Sequence, residues 1–204
     1  MNMTPEQHDV LVEIANMGSG KAAKHLSVLL NVEVKMTVPD VFIGCYDEVK
    51  ALLNVSPEDI ITGVHQHTNG FLNADVILLF QSLESRQVVQ ALIGRAMPMV
   101  HEDMHDFEHE AMTEIGNIII SGCVSAIANL LGERIQLNLP VYTEGDLKAM
   151  LMQPDIDDCL MVMQTTLSAV EHNLRGILVF AVTRTDLSLL LHQVDNWLIK
   201  LQAG

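Results

Sequence analysis

Apolar positions near the start of the chain recur with the period of an α-helix. One stripe of small and apolar side chains returns every three or four positions, at Leu11, Ala15, Gly18, Ala22, Leu26 and Leu29. This spacing predicts an amphipathic helix over residues 5–31. Thr4 is a favourable N-cap and Pro5 suits the first helical position, so the sequence also indicates where the helix begins. A second long helix is predicted over residues 104–131.

Strand-like runs follow each of these helices. Short stretches of β-branched and apolar residues bounded by turn residues predict strands. They cover residues 32–46, 60–68, 71–81, 134–141, 160–167 and 174–182. Asn69-Gly70 is typical of a hairpin turn, and closing helices are predicted over 83–93 and 187–201. We therefore expect an α+β fold with long helices packed on a largely antiparallel sheet of about six strands.

The two sets of elements have the same order, which indicates an internal duplication. Three pairs of residues lie 101 positions apart: Glu13 and Glu114, Asn16 and Asn117, Pro39 and Pro140. No linker rich in Gly, Ser or Pro separates the halves. We therefore expect one pseudo-two-fold domain over residues 1–204, with its repeats at 5–95 and 104–201.

Composition and charge narrow the classes of function. Hydrophobic residues make up 49% of the 204 residues and aromatic residues only 4%, which predicts a folded, aliphatic core. The formal net charge is −15, and no basic run offsets it. Such a surface repels nucleic acid, so a protein partner with basic residues is the better expectation.

The cysteines, the first residues and the apolar runs of the chain indicate the cellular compartment to expect. Three scattered cysteines without a CxxC pair favour a reducing compartment and argue against a structural zinc site. The first residues lack the pattern of a signal peptide, and the uninterrupted apolar runs are too short to span a bilayer. We expect a cytoplasmic protein without membrane insertion.

Each long helix carries an acid, a glutamate and an asparagine on one narrow face, because spacings of four and three residues match the helical period. These residues are Asp9, Glu13 and Asn16 in the first helix and Glu110, Glu114 and Asn117 in the second. Asparagine is a weak helix former, since its side chain competes with the backbone for hydrogen bonds. One such face would usually be solvated surface, but its repetition favours a function.

The spacing Asp/Ser-x3-Glu-x2-Asn-x22-Pro resembles the signature of the CheC, CheX and FliY chemotaxis phosphatases. The first half fits it at every position, whereas the second has Glu110 where the family usually has Asp or Ser. Two signatures within 204 residues resemble CheC most. CheX is similar to a shorter chain with one signature, and FliY carries an additional switch domain for which the chain has no room.

The resemblance implies hydrolysis of the aspartyl phosphate on a CheY-type response regulator. The regulator would bring its own Mg²⁺, so we expect neither a cofactor nor a metal site in this chain. An amide group both donates and accepts hydrogen bonds, and a glutamine orients the attacking water in small GTPases. Asn16 and Asn117 are therefore expected to position the attacking water.

The glutamates and the remaining acids are assigned to the contact with the regulator. At 4 Å and an effective dielectric of 20, a carboxylate repels a second negative charge by about 4 kcal/mol. Glu13 and Glu114 are therefore expected to pair with the lysine beside the regulator's phosphorylation site. Asp9 and Glu110 are assigned to the same docking face.

A second hypothesis comes from a different class of function. Relatives of CheC bind the receptor deamidase CheD, so the chain could instead be a non-catalytic binding module that regulates such a partner. The two hypotheses differ in whether asparagine variants lose phosphatase activity while still binding CheD.

Two short motifs point to other chemistries with less force. Residues 101–105 match the HExxH motif of zinc proteases, but they lie in an acidic, His-rich run where such a match arises easily by chance. Gly18, Gly20 and Lys21 resemble part of a phosphate-binding loop, but its first glycine and its final Ser or Thr are missing. We expect these glycines to allow close helix packing instead.

Overall fold

The computed structural model describes residues 2–56, 59–81, 104–151, 160–169 and 172–203. These residues form five helices: α1 (Pro5–Leu30), α2 (Tyr46–Leu53), α3 (Met104–Leu131), α4 (Leu147–Leu151) and α5 (Arg184–Ala203). They also form seven strands: β1 (Val34–Gly44), β2 (Ile61–Gly70), β3 (Ala74–Gln81), β4 (Ile135–Leu137), β5 (Val141–Gly145), β6 (Leu160–Ala169) and β7 (His172–Val182).

All seven strands belong to one sheet in the order β1-β6-β7-β3-β2-β4, and β5 also pairs with β2. Every strand pair among the described residues is antiparallel. Strand β4 pairs with the end of β2 and β5 with its beginning. One edge of the sheet is therefore β1, and the other is formed by β4 and β5 together. The α+β class and the antiparallel sheet are as predicted.

The strand count exceeds the prediction because the run 134–141 is interrupted. Strand β4 ends at Leu137 and β5 begins at Val141. Pro140 lies in the gap, and a proline has no N–H to donate to a neighbouring strand. Helices α2 and α4 were not predicted, since eight and five residues are too few for a helical period to show clearly.

The turn predicted at Asn69-Gly70 lies slightly later in the chain. Both residues remain in β2, where they pair with Gln136 and Ile135 of β4. The chain reverses over residues 71–73, because Thr68 already pairs with Ala74. The helix predicted over 83–93 falls outside the described residues.

Alternate residues of the sheet face two separate apolar clusters. Leu78 and Phe80 of β3 lie in the larger cluster, with side chains from α1, α3 and α5. Ile77 and Leu79 lie in the smaller one, with side chains from α2 and α4. The alternation is that of a sheet covered by helices on both faces.

The start of α1 follows the sequence prediction in detail. The Thr4 hydroxyl accepts a hydrogen bond from the Gln7 backbone N–H, and the Gln7 side chain accepts one from the Thr4 N–H. This reciprocal arrangement satisfies two amide groups at the helix terminus. The Gln7 side chain also donates to Asp195, which links α1 to α5.

The long helices α1 and α3 approach closely at a pair of glycines. A Cβ atom on Gly18 would lie 2.7 Å from the Cα atom of Cys123, and one on Gly122 would lie 2.9 Å from the Gly18 carbonyl oxygen. Gly20 has open space in the same position. The expectation of close helix packing therefore holds for Gly18 and is wrong for Gly20.

Helix α3 is long and apolar enough over residues 108–131 to meet the length and composition of a membrane span. Polar residues interrupt its apolar positions, so no uninterrupted apolar run marks this helix in the sequence. In the fold, Met112, Ile115 and Ile119 of this helix are buried in the larger apolar cluster. The apolar composition is thus that of a helix packed into a core.

Candidate functional site

The first acid–Glu–Asn face lies on α1 beside the edge strand β1. Asp9 and Glu13 are exposed, whereas Asn16 is half-buried. The Nδ2 atom of Asn16 donates to the carbonyl oxygens of Val12 at 2.9 Å and Val38 at 2.8 Å. Its Oδ1 atom accepts from the Val38 backbone nitrogen at 2.9 Å. Both donor hydrogens of this amide are therefore used within the chain.

These bonds give the spacing between Asn16 and Pro39 a structural reason. The ladder between β1 and β6 changes register between Thr37 and Asp40, as expected where a proline cannot donate. The Asn16 side chain binds both the N–H and the C=O of Val38, which lies inside this irregularity. Asn16 thus holds the bulge in front of the proline.

His8 connects α1 to β1 at the same site. Its Nε2 atom lies 2.8 Å from Asp40 Oδ1, and its Nδ1 atom lies 3.3 Å from Asp9 Oδ1. The hydrogen bond to Asp40, and then the one to Asp9, raises the pKa of His8 above its ordinary value. The first site therefore contains two carboxylates held around an imidazole.

The second face lies on α3, beside β2 and the gap between β4 and β5. Glu110 and Glu114 are exposed and Asn117 is half-buried, as at the first site. Asn117 Oδ1 accepts from Gln66 Nε2 at 3.3 Å. Its Nδ2 atom has no hydrogen-bond partner in the described part of the chain. Both donor hydrogens and one oxygen lone pair of Asn117 are therefore free to bind a ligand.

The two sites also differ in the segment next to the proline. Val38 is buried before Pro39, whereas Leu139, before Pro140, is 86% exposed. Beyond the proline stands Asp40 at the first site and exposed Val141 at the second. The rim is thus acidic at the first site and apolar at the second.

An aromatic contact replaces the His8 bridge at the second site. His109 lies 101 positions after His8, and its ring packs against Tyr142 with a centroid distance of 4.6 Å. The Tyr142 hydroxyl donates to Glu144 at 2.7 Å. Burial, and then this bond, raises the pKa of Tyr142. Both histidines therefore connect a long helix to a strand residue that lies just after the motif's proline, Asp40 at the first site and Tyr142 at the second.

The two motif glutamates have no cationic partner among the described residues, since neither Glu13 nor Glu114 is within 4.0 Å of a basic side chain there. The same part of the chain contains no group of three side chains able to hold a metal ion. Residues 101–103 of the HExxH match lie outside the described residues.

Sequence reasoning missed three residues of these sites. His8 and His109 share the 101-residue spacing and adjoin the motif, so the duplication itself could have identified them. Gln66 had no such signal. It lies 51 positions from Asn117, and only the position of β2 beneath α3 brings the two together.

Comparison with known proteins agrees with the predicted resemblance. Residues 6–43 match the model of the CheC-like family, a segment that includes the whole first motif. The chain is 26% identical over 167 residues to CheC1 of Halobacterium salinarum, which covers 80% of this chain and 84% of that protein. It is 24% identical over 136 residues to the CheY-P phosphatase CheC of Bacillus subtilis, which covers 66% of this chain and 65% of that protein.

The fold is found in solved structures. FliY of Thermotoga maritima superimposes with a TM-score of 0.73 at 21% identity, covering 98% of this chain and 99% of that chain. The FliM middle domain of H. pylori gives a TM-score of 0.66 at 12% identity, covering 94% of this chain and 99% of that one. At these identities the similarity establishes the fold.

Proposed function

We propose that the protein is a cytoplasmic phosphatase that hydrolyses the aspartyl phosphate of a CheY-type response regulator. The observation that carries the proposal is the half-buried asparagine one turn from an exposed, unpaired glutamate on each long helix. The similarity to a protein named a CheY-P phosphatase supplies the substrate class. Mg²⁺ would come with the regulator.

The asparagine acts by holding a water molecule in line with the phosphorus atom. Asn117 can accept a hydrogen from this water through its free oxygen lone pair and can donate to a phosphoryl oxygen through Nδ2. The water oxygen then bonds to phosphorus and the bond to the aspartate oxygen breaks. The aspartate leaves as a carboxylate, and both protons of the water remain on the phosphate product, which is released as H₂PO₄⁻. An acyl phosphate is reactive enough for positioning to be the main contribution.

The neighbouring glutamate fixes the register of docking. Glu114 is exposed and can meet the ammonium group of the regulator's lysine. A charge pair of this kind also keeps the carboxylate from repelling the phosphoryl group. Glu13 has the same position at the first site.

We expect the second site to contribute more of the activity. Asn16 can donate to a phosphoryl oxygen only after releasing its bond to the carbonyl oxygen of Val12 or Val38, because these two bonds use both Nδ2 hydrogens. A hydrogen bond of this kind contributes about 0.5–1.5 kcal/mol. Asn117 has one long bond to release at most.

The test is the rate of phosphate loss from a phosphorylated CheY-type regulator in Mg²⁺. We expect Asn117→Ala to remove the larger share of the acceleration and Asn16→Ala/Asn117→Ala to slow the accelerated reaction by about 10²–10³, the effect of removing from each site one group that stabilises a transition state. Asn129→Ala is the matched control, because Asn129 is exposed on the same helix outside the motif. Near-normal turnover in Asn16→Ala/Asn117→Ala would end the assignment.

Measuring CheD binding with the same proteins distinguishes the phosphatase hypothesis from the binding-module hypothesis. If the wild-type protein accelerates no regulator but captures CheD, it is a regulatory binding module. If the double asparagine variant still binds CheD while it has lost the phosphatase activity, the two functions use different surfaces.

A further inference from the structure

Gln66 is a buried amide with no role in the proposed reaction as described so far. Its side chain lies on the β2 face beneath α3 and is only 2% exposed. The Nε2 atom donates both to Asn117 Oδ1 at 3.3 Å and to the backbone carbonyl of Asn138 at 2.9 Å. One buried side chain thus joins β2, the motif asparagine and the segment just before Pro140.

The orientation of the Gln66 amide follows from its surroundings. A carbonyl oxygen can only accept, so the group that faces Asn138 must be the NH₂ end. The same NH₂ group then requires an acceptor from Asn117, so one lone pair of the Asn117 oxygen points to Gln66 while its second lone pair and the Nδ2 donors stay available. Gln66 Oε1 is buried without a partner among the described residues. A buried oxygen without a hydrogen-bond partner is unfavourable. The two bonds that Nε2 donates must therefore hold the Gln66 amide in this orientation.

The first site has no equivalent of this contact. In the sheet, Thr68 pairs with Leu137 and Leu167 pairs with Met36, so Thr165 occupies the place that corresponds to Gln66. Thr165 donates to the carbonyl oxygen of Gly176, its neighbour across the strands. Asn16 takes its orientation from the backbone of Val38 instead.

We infer that Gln66 is a positioning residue that fixes the rotamer of the Asn117 amide and so orients the water-binding group of the second site. The inference rests on the proposed phosphatase function. Gln66 touches neither the regulator nor the water, and it acts only through Asn117.

The kinetic test is Gln66→Met, which keeps the length and apolar bulk of the side chain and removes the donor. We expect kcat on the phosphorylated regulator to fall by about 3- to 10-fold, the factor that one hydrogen bond supplies. The Michaelis constant should stay within about twofold, because docking is unaffected. In an Asn117→Ala background the same substitution should have no further effect, since its target is gone.

Thr68→Val is the matched control for a general disturbance of β2. Thr68 is buried on the same strand face and bonds to Leu72 and Ala74 rather than to the motif. We expect it to lower stability while kcat stays at the wild-type value. A loss of kcat in Gln66→Met that persists undiminished in the Asn117→Ala background would overturn the inference, as would an unchanged kcat.

A second readout does not depend on the reaction. Side-chain NMR couplings of Asn117 should indicate one χ1 rotamer in the wild-type protein and averaging between rotamers in Gln66→Met. An unchanged single rotamer in the variant would overturn the inference whatever the kinetics. If the wild-type protein dephosphorylates no regulator, the proposed function fails, and these couplings alone decide whether Gln66 positions Asn117.

Discussion

An asparagine within a helix must find partners for both ends of its amide group, and the two motif asparagines do so differently. Asn16 gives both its donor hydrogens to backbone carbonyls and accepts from Val38. Asn117 accepts one bond from Gln66 and keeps the rest of its amide available. The same residue in the same motif is therefore a brace for a β-bulge at one site and an open amide at the other.

This difference predicts that Asn16→Ala mainly lowers stability, whereas Asn117→Ala mainly lowers activity. Asn16→Ala should lower the free energy of unfolding by about 1–3 kcal/mol, because the N–H and C=O of Val38 lose their partner. Asn117→Ala should lower it by less than about 1 kcal/mol while it removes more of the phosphatase activity. Urea unfolding of both variants provides the comparison. Equal losses of stability would contradict the assigned roles.

His8 offers a test of the first site through its titration. Its bond to Asp40 is shorter than its bond to Asp9 and is the larger cause of its raised pKa. We expect Asp40→Asn to lower the pKa of His8, followed by NMR, more than Asp9→Asn does. The reverse order would show that the helix–strand bridge is not the main contact.

The direction of the stability effect follows from the same shift. Because the pKa of His8 is raised in the folded protein, the protonated form is favoured by folding. Its contribution to stability is complete below the ordinary histidine value of about 6.5 and is lost as the pH rises through the raised pKa. His8→Gln should therefore reduce the melting temperature more at pH 5.5 than at pH 9.

Among the elements, the crossing of α1 and α3 depends on the absence of one side chain. A Cβ at Gly18 would lie within 3.0 Å of three backbone atoms of Gly122 and Cys123. Backbone cannot move aside as a flexible side chain can, so the helices must separate. Each helix carries one asparagine motif, and their separation would alter how both motifs meet the sheet.

We therefore expect Gly18→Ala to lower the free energy of unfolding by about 1–3 kcal/mol. Gly20→Ala is the control, since nothing lies within 4 Å of the added methyl group. In a helix interior this change should raise stability by about 0.5–1 kcal/mol. Changes of opposite sign in the free energy of unfolding, measured by urea denaturation, would support the close crossing of the two helices. Similar changes in the two variants would argue against it.

Across the whole molecule, features that depend on the local sequence or that occur in both halves could be predicted. Features that depend on contacts between distant segments could not. The capping residues Thr4 and Pro5 placed the start of α1 correctly, because capping is local. The change of register at Pro39 and the place of Gln66 beneath Asn117 were not predicted. Both arise from strand pairings between distant segments, which no local period records. The motif residues themselves were found because they occur twice, and their roles remain predictions.

The charge of the whole chain complicates its encounter with a regulator. A net charge of −15 gives a field that favours basic surfaces and is screened over about 10 Å at 0.1 M salt. A direct pair between Glu114 and a lysine would act over a shorter distance. Its effect should therefore depend on the position of the glutamate and not only on the total charge.

Glu114→Gln should raise the Michaelis constant for the phosphorylated regulator about two- to fivefold, the range for an exposed ion pair. The increase should shrink as salt is raised from 0.05 to 0.5 M, because salt weakens the pair in the wild-type complex and leaves the variant little changed. Glu133→Gln removes the same charge just beyond the far end of α3 and should have a much smaller effect. If both variants shift the Michaelis constant equally, the total charge governs docking and the assigned pair does not form. If only Glu114→Gln does, the glutamate meets a cation on the partner, as the register of the proposed reaction requires.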